Sequence, residues 1–168
     1  ILGNIFVFAV SNKKRYTLKL VNKELIANNT YQLTFTSDPA INFQPGQYLE
    51  WTLPHQTPDS RGYRRYFTIS SSPTEKETQL TFKYFPNSSS FKNSLLKLNT
   101  GGLVTTSNIS GDFTPDQSES NLVFIAGGIG ITPFRSIIKY YQDKNLNKDI
   151  QLLYTCTSED DFAFKSFF

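Results

Sequence analysis

The chain has 168 residues, with 17 Lys and Arg against 14 Asp and Glu, and it is rich in rings, with 15 Phe and 9 Tyr. The composition is that of a globular protein, and a net charge of +3 without a clustered basic face argues against nucleic acid as a partner. A single Cys and a single His exclude a disulfide framework and a cysteine-rich zinc site, and leave few ways to build a Ser-His-Asp triad. Met is absent, so the sequence is expected to be part of a longer protein.

Residues 1–10, ILGNIFVFAV, are almost wholly apolar and run into Ser11, Asn12, Lys13, Lys14 and Arg15. A secretory signal carries its basic residues before the apolar run, and a bilayer span needs about 20 residues. Residues 1–14 are therefore expected to be the end of a membrane helix, or a linker, leaving on the basic side. The positive-inside rule makes that side the cytoplasm, which locates the protein at the cytoplasmic face of the membrane. A buried strand is the alternative.

From Tyr16 the pattern alternates. YTLKLVNKELI and YQLTFTS read as two half-buried strands joined through Ala27, Asn28, Asn29 and Thr30. Phe43 to Gln47 is a turn, with Pro45 and Gly46 placed as in a type II turn. QYLEWTL is the third strand, and LPHQTPDSRG is a loop. YRRYFTI and QLTFKYF are the fourth and fifth strands, and GGLVTTSNI is the sixth. Between the last two, Phe91, Leu95 and Leu98 recur at helical spacing. Residues 15–116 are expected to form an all-β antiparallel six-stranded barrel with one capping helix.

Beyond residue 116 the period changes. NLVFIAG is a continuous apolar run, expected of a strand buried on both faces. A helix is predicted from Thr132 to about Asp143, then a second buried strand, IQLLY, and then a further helix begun by SEDDFAFKSFF. Residues 117–168 thus read as the opening, truncated part of a doubly wound α/β domain. Cys156 reads as buried packing.

Three segments carry candidate chemistry. In VFIAGGIGITPFRSI a buried strand ends in Gly127, Gly128 and Gly130. Thr132 is placed to cap the following helix, and Pro133 suits its first position. Unpaired amides and a helix dipole then meet at one point, which suits a phosphate or pyrophosphate; a ligand-free turn is the alternative. In YRRYFTI, Arg64 and Arg65 point to opposite faces and Phe67 shares the face of Arg65, with Thr68 next in line. An arginine, a ring and a hydroxyl so close together suit a planar ligand bearing phosphate; a plain exposed strand is the alternative. In SSSFK, Ser89 or Ser90 can cap the helix that begins with Phe91. Lys92 falls in its first turn, where a cation is unfavourable unless an anion is bound. An ordinary capped helix is the alternative.

In this order the segments resemble the ferredoxin–NADP reductase superfamily, over Tyr16 to the end. Arg65, Tyr66, Phe67 and Thr68 resemble its flavin signature Arg-x-Tyr-Ser, in a register set by Ile69, Ser70, Ser71, Ser72 and Pro73. Pro45 to Tyr48 and Gly111-Asp112-Phe113 are similar to further family features, and GGIGITP is similar to its pyridine-nucleotide glycine motif. The resemblance implies an NAD(P)H-dependent flavoprotein reductase that binds FAD, with FMN the alternative, and takes NADH or NADPH as substrate. It implies that Arg65 pairs with the flavin pyrophosphate, that Phe67 stacks on the isoalloxazine and that Thr68 reaches N5 as the catalytic hydroxyl. Tyr66, Ile69 and Ser70 complete that strand of the site. Ser89, Ser90, Phe91 and Lys92 would hold phosphate, and Gly127, Gly128, Gly130, Thr132 and Pro133 the nicotinamide nucleotide. Hydride transfer between two stacked rings asks for closeness and dryness rather than a protein acid or base. The electron acceptor is expected to be an iron–sulfur centre, a haem or a quinone, reached at the membrane. An accessory flavin-binding subunit without its own nicotinamide site is the alternative. Phe67 and Thr68 depart from the family's usual Tyr and Ser, and its later Cys-Gly-Pro segment is not found here.

Overall fold

The computed structural model describes residues 14–115 and 118–168. The expected membrane segment lies almost wholly outside the described residues. Among those residues, no helix is long and apolar enough to cross a membrane.

Among the described residues, eight strands and two of the three predicted helices form where periodicity places them. β1 (Tyr16–Ala27) and β2 (Thr30–Ser37) make a hairpin. Its turn holds Asn29 at φ 52°, a conformation that asparagine tolerates better than most residues. β3 (Tyr48–Thr52), β4 (Arg64–Thr68), β5 (Thr78–Lys83) and β6 (Leu103–Ser110) complete a six-stranded sheet ordered β4-β3-β6-β1-β2-β5. Every pairing in it is antiparallel. The two edge strands meet through one bridge, Ile69 to Leu80, so the barrel is closed at that corner and open along β4. Its core is the inward set Leu18, Leu20, Leu33, Phe35, Leu49, Trp51, Ile69 and Leu80, all fully buried. Helix α1 (Ser90–Lys97) plugs one end with Phe91 and Leu95.

The second sheet is a parallel pair, β7 (Asn121–Gly127) and β8 (Asp149–Thr155), linked through helix α2 (Thr132–Asp143). Parallel strands need such a crossover. α2 buries Phe134, Ile137 and Tyr141 against one face of β7. The opposite face departs from expectation: Val123 and Ile125 are 62% and 71% exposed, because no described element covers it. The final helix also fails to form. Residues Glu159–Asp161 make one 3-10 turn, and Phe164 then adopts φ 60°, which no α-helix accommodates. Phe164 is buried and the Arg135 guanidinium lies over it and over Phe167, so packing around α2 overrides local helical preference. Cys156 is half-buried rather than buried, with its thiol 3.5 Å from the Asp161 carbonyl.

The two sheets are clamped together. Arg135 on α2 pairs with Glu75 in the β4–β5 turn and donates to the Ser70 carbonyl at 3.2 Å. Beside it, Ser136 donates to the Ser71 carbonyl at 2.6 Å in a fully buried contact. Both carbonyls follow β4 directly, so α2 is tied to the strand that carries Arg65 and Thr68.

Candidate functional site

β4 presents two different faces. Arg64, Tyr66 and Thr68 alternate outward, and Arg65, Phe67 and Ile69 inward, as strand geometry requires. Tyr66 is 59% exposed and stands edge-on to Tyr48 at 5.6 Å. Phe67 is half-buried, with Phe91 at 5.9 Å and Phe82 at 6.4 Å. Phe67 and Thr68 therefore do not share a face; one ligand meets both only by lying along the strand's edge. That edge is open. Tyr63 and Ile69 turn their backbone groups to β3, so the alternation of an antiparallel ladder turns those of Tyr66 and Thr68 outward.

Arg65 is the most confined charge in the site, its side chain 10% exposed. Its guanidinium lies 5.7 Å from the Phe91 ring centre, within cation–π range. It bonds the Asp59 carboxylate at 2.5 Å and the carbonyls of Arg61, Gly62 and Arg64 at 3.0, 3.1 and 2.6 Å. Its Nε–H is buried and has no partner among the described residues. Beside it, Ser89 caps α1 by accepting the Lys92 N–H at 3.3 Å. Ser90 belongs to another network: its hydroxyl meets His55 Nε2 at 3.0 Å and accepts the Asp59 N–H at 2.9 Å. Asp59 and His55, in the loop before β4, were missed from sequence, where nothing in their spacing marks them.

The Arg65 hydrogen bond, ahead of all other causes, holds the Asp59 carboxyl down at about 2. Its ordinary value is 3.8, so the pairing adds stability above about pH 4 that is lost as pH falls towards 2. Melting temperatures measured between pH 5 and pH 2 should fall more steeply for the native chain than for Asp59→Asn.

Several sequence expectations are corrected here. The Phe91 side chain is fully buried and forms the floor under Arg65, so only its backbone amide is left to meet a phosphate. Ile69 and Ser70 are fully buried where the chain crosses to β5. The Ser70 hydroxyl is spent on Thr81 at 2.8 Å and the Gln79 carbonyl at 3.1 Å, leaving their side chains nothing to offer a cofactor. Lys92 Nζ donates to the Lys83 carbonyl at 2.8 Å, and burial, with the Arg61 charge, lowers its pKa. Thr132 does not cap α2. A 3-10 turn over Gly128–Ile131 runs straight into the helix, so Thr132 lies inside it, buried, its hydroxyl 3.2 Å from the Ile129 carbonyl.

The glycine turn itself is open. Gly128 takes φ 48°, and a Cβ at Gly128 or Gly130 would have no neighbour within 4 Å, so the backbone there is bare. Pro133 is the second residue of α2, one position later than expected but still in the first turn, where no N–H is needed. The clamp at Ser136 is one helical turn, about 6 Å, beyond Thr132. The turn is thereby held close to the end of β4.

A six-stranded barrel open along an arginine-bearing strand, followed by a glycine turn between parallel strands, defines a two-part nucleotide-handling fold. Residues 124–167 match the oxidoreductase NAD-binding domain family. The chain is 30% identical over 158 residues to sulfhydrogenase 2 subunit gamma of Pyrococcus furiosus, covering 92% of this chain and 47% of that protein. Ferredoxin–NADP+ reductase of Plasmodium falciparum superposes with a TM-score of 0.78 at 20% identity, over 90% of this chain and 67% of the other. Phthalate dioxygenase reductase, described as a modular structure for electron transfer from pyridine nucleotides to [2Fe-2S], gives 0.74 at 23% identity, over 91% and 46%. These solved structures share the fold of this chain. The chain spans about half or less of the length of the curated relatives it matches.

Proposed function

We propose that the chain is the flavin-binding part, and the start of the nicotinamide-binding part, of an NAD(P)H-dependent flavoprotein reductase. The carrying observation is Arg65: a nine-tenths buried guanidinium on an open strand, beside a capped helix start, with one N–H unanswered. A flavin diphosphate supplies the missing acceptor, so the residues present fit FAD. Arg65 and the amides at the start of α1 would hold the phosphates. The edge of β4, with Phe67, Tyr66 and Thr68, would line the ring, and the bare backbone at Gly128 and Gly130 would take the nicotinamide nucleotide. Bound flavin supplies an acceptor for a hydride that can release its electrons singly.

The protein's own contribution is positional. The Arg135 and Ser136 contacts hold the glycine turn against the end of β4, which sets the two nucleotide sites next to each other. The match to the NAD-binding domain family favours a working nicotinamide site over an accessory subunit without one. The electron transfer to [2Fe-2S] named for phthalate dioxygenase reductase supports an iron–sulfur acceptor. Placement at the cytoplasmic face of a membrane rests on the sequence of residues 1–15 alone.

The test is spectroscopic. Purified protein should show flavin absorption, or acquire it on mixing with FAD, and in the longer protein NADH or NADPH should bleach it. Thr68→Ala should retain the flavin and slow bleaching by about 10- to 100-fold, the weight of one positioned polar contact. Bleaching at the native rate would remove Thr68 from the chemistry.

A further inference from the structure

The anion cradle at Arg65 already contains an anion. The Asp59 carboxylate meets both features a phosphate would use, and within its own loop it also accepts the Arg61 N–H at 3.0 Å and lies 4.0 Å from the Arg61 guanidinium. Oδ1 takes the Arg65 guanidinium at 2.5 Å, and Oδ2 faces the Ser90 N–H at the start of α1 at 3.3 Å. A carboxylate is the smaller anion of the two: it leaves Arg65 Nε–H unanswered, whereas a phosphate brings more acceptor oxygens.

The loop that carries Asp59 is fastened by few bonds. His55 Nδ1 meets the Leu53 carbonyl at 2.7 Å, so that nitrogen carries the proton. In the neutral ring Nε2 is then an acceptor, and the Ser90 hydroxyl donates to it while accepting the Asp59 N–H. The hydrogen-bonded latch to α1 is thus Ser90, beside the edge-on contact of His55 with Phe91 at 6.3 Å, and the latch to β4 is Arg65. At the loop's base, Leu53 N–H bonds the Tyr63 carbonyl at 3.0 Å, which keeps the loop anchored when its tip lifts.

We propose that Asp59 is a built-in substitute for the flavin phosphates: it closes the Arg65 cradle in the unliganded chain, leaves as the phosphates enter, and so sets the affinity of the site. This rests on the flavin reading above. A self-ligand lowers apparent affinity by the fraction of time the cradle is open. Removing it therefore strengthens phosphate binding while weakening the unliganded protein, two opposite effects from one substitution. A residue that merely steadied Arg65 would weaken both.

The experiment titrates FAD, FMN and riboflavin into the flavin-free full chain, native and Asp59→Asn, and follows flavin fluorescence; Asp59→Ala serves as a second variant. Melting of the flavin-free proteins is measured alongside. Both variants should bind FAD and FMN about tenfold more tightly, bind riboflavin as the native chain does, and melt at lower temperature without ligand. Unchanged or weaker FAD binding by the variants, with the native chain binding normally, overturns the proposal and leaves the flavin reading standing. Failure of every protein to bind FAD or FMN overturns both.

Discussion

Gly46→Ala is expected to cost on the order of 3–5 kcal/mol of stability, enough to consume a large share of a domain's usual margin. Gly46 sits at φ 96°, the third position of the turn closed by the Gln47 N–H on the Gln44 carbonyl at 3.1 Å. A side chain there is strained by its own backbone. It is also blocked: a Cβ would lie 2.0 Å from the Phe113 carbonyl oxygen, which is backbone and cannot rotate away. Phe113 in turn stands edge-on to Phe134 on α2 at 5.3 Å. The clash therefore strikes where the barrel's closing loop meets the second sheet. Urea unfolding of the native and substituted chains reads the loss directly. A midpoint shift corresponding to less than about 1 kcal/mol would mean that this turn relaxes freely.

Arg65→Ala is expected to weaken FAD binding by roughly 10- to 150-fold, the range of a charge-assisted hydrogen bond of about 1.5–3 kcal/mol. Arg65→Lys should recover only part of this. An ammonium keeps the charge, but it lacks the planar fork and the donor now buried at Nε. Loss of the guanidinium also leaves Asp59 beside the start of α1 without its main partner.

Much of this was legible in the sequence, and the reasons differ by region. Strand alternation is a local signal, so β1 to β6 and the shared face of Arg65 and Phe67 could be read directly. The Pro45–Gly46 turn was equally local. The glycine turn was placed correctly, but the start of α2 was misread. Capping by Thr132 is a sequence preference, and the 3-10 turn that displaced it depends on how Ile131 packs into the core. The fully buried state of Phe91, Ile69 and Ser70 was hidden for a similar reason: a motif names positions, and only the closed barrel decides which of them still face outward. The contacts that shape the site lie far apart in the chain. Ser90 meets Asp59 across 31 residues and Arg135 meets Glu75 across 60, and no period or spacing announces such pairs. The last predicted helix failed because Phe164 and Phe167 pack under the Arg135 guanidinium, a contact made far along the chain, and Phe162 packs on Tyr154.

The most direct measurement is a fluorescence titration of FAD into the flavin-free chain and its Arg65→Ala variant under identical salt. Saturable binding by the native chain at one site, weakened at least tenfold by the substitution, is the result this account predicts. Equal FAD binding by the two proteins, or none by a folded native chain, would contradict it.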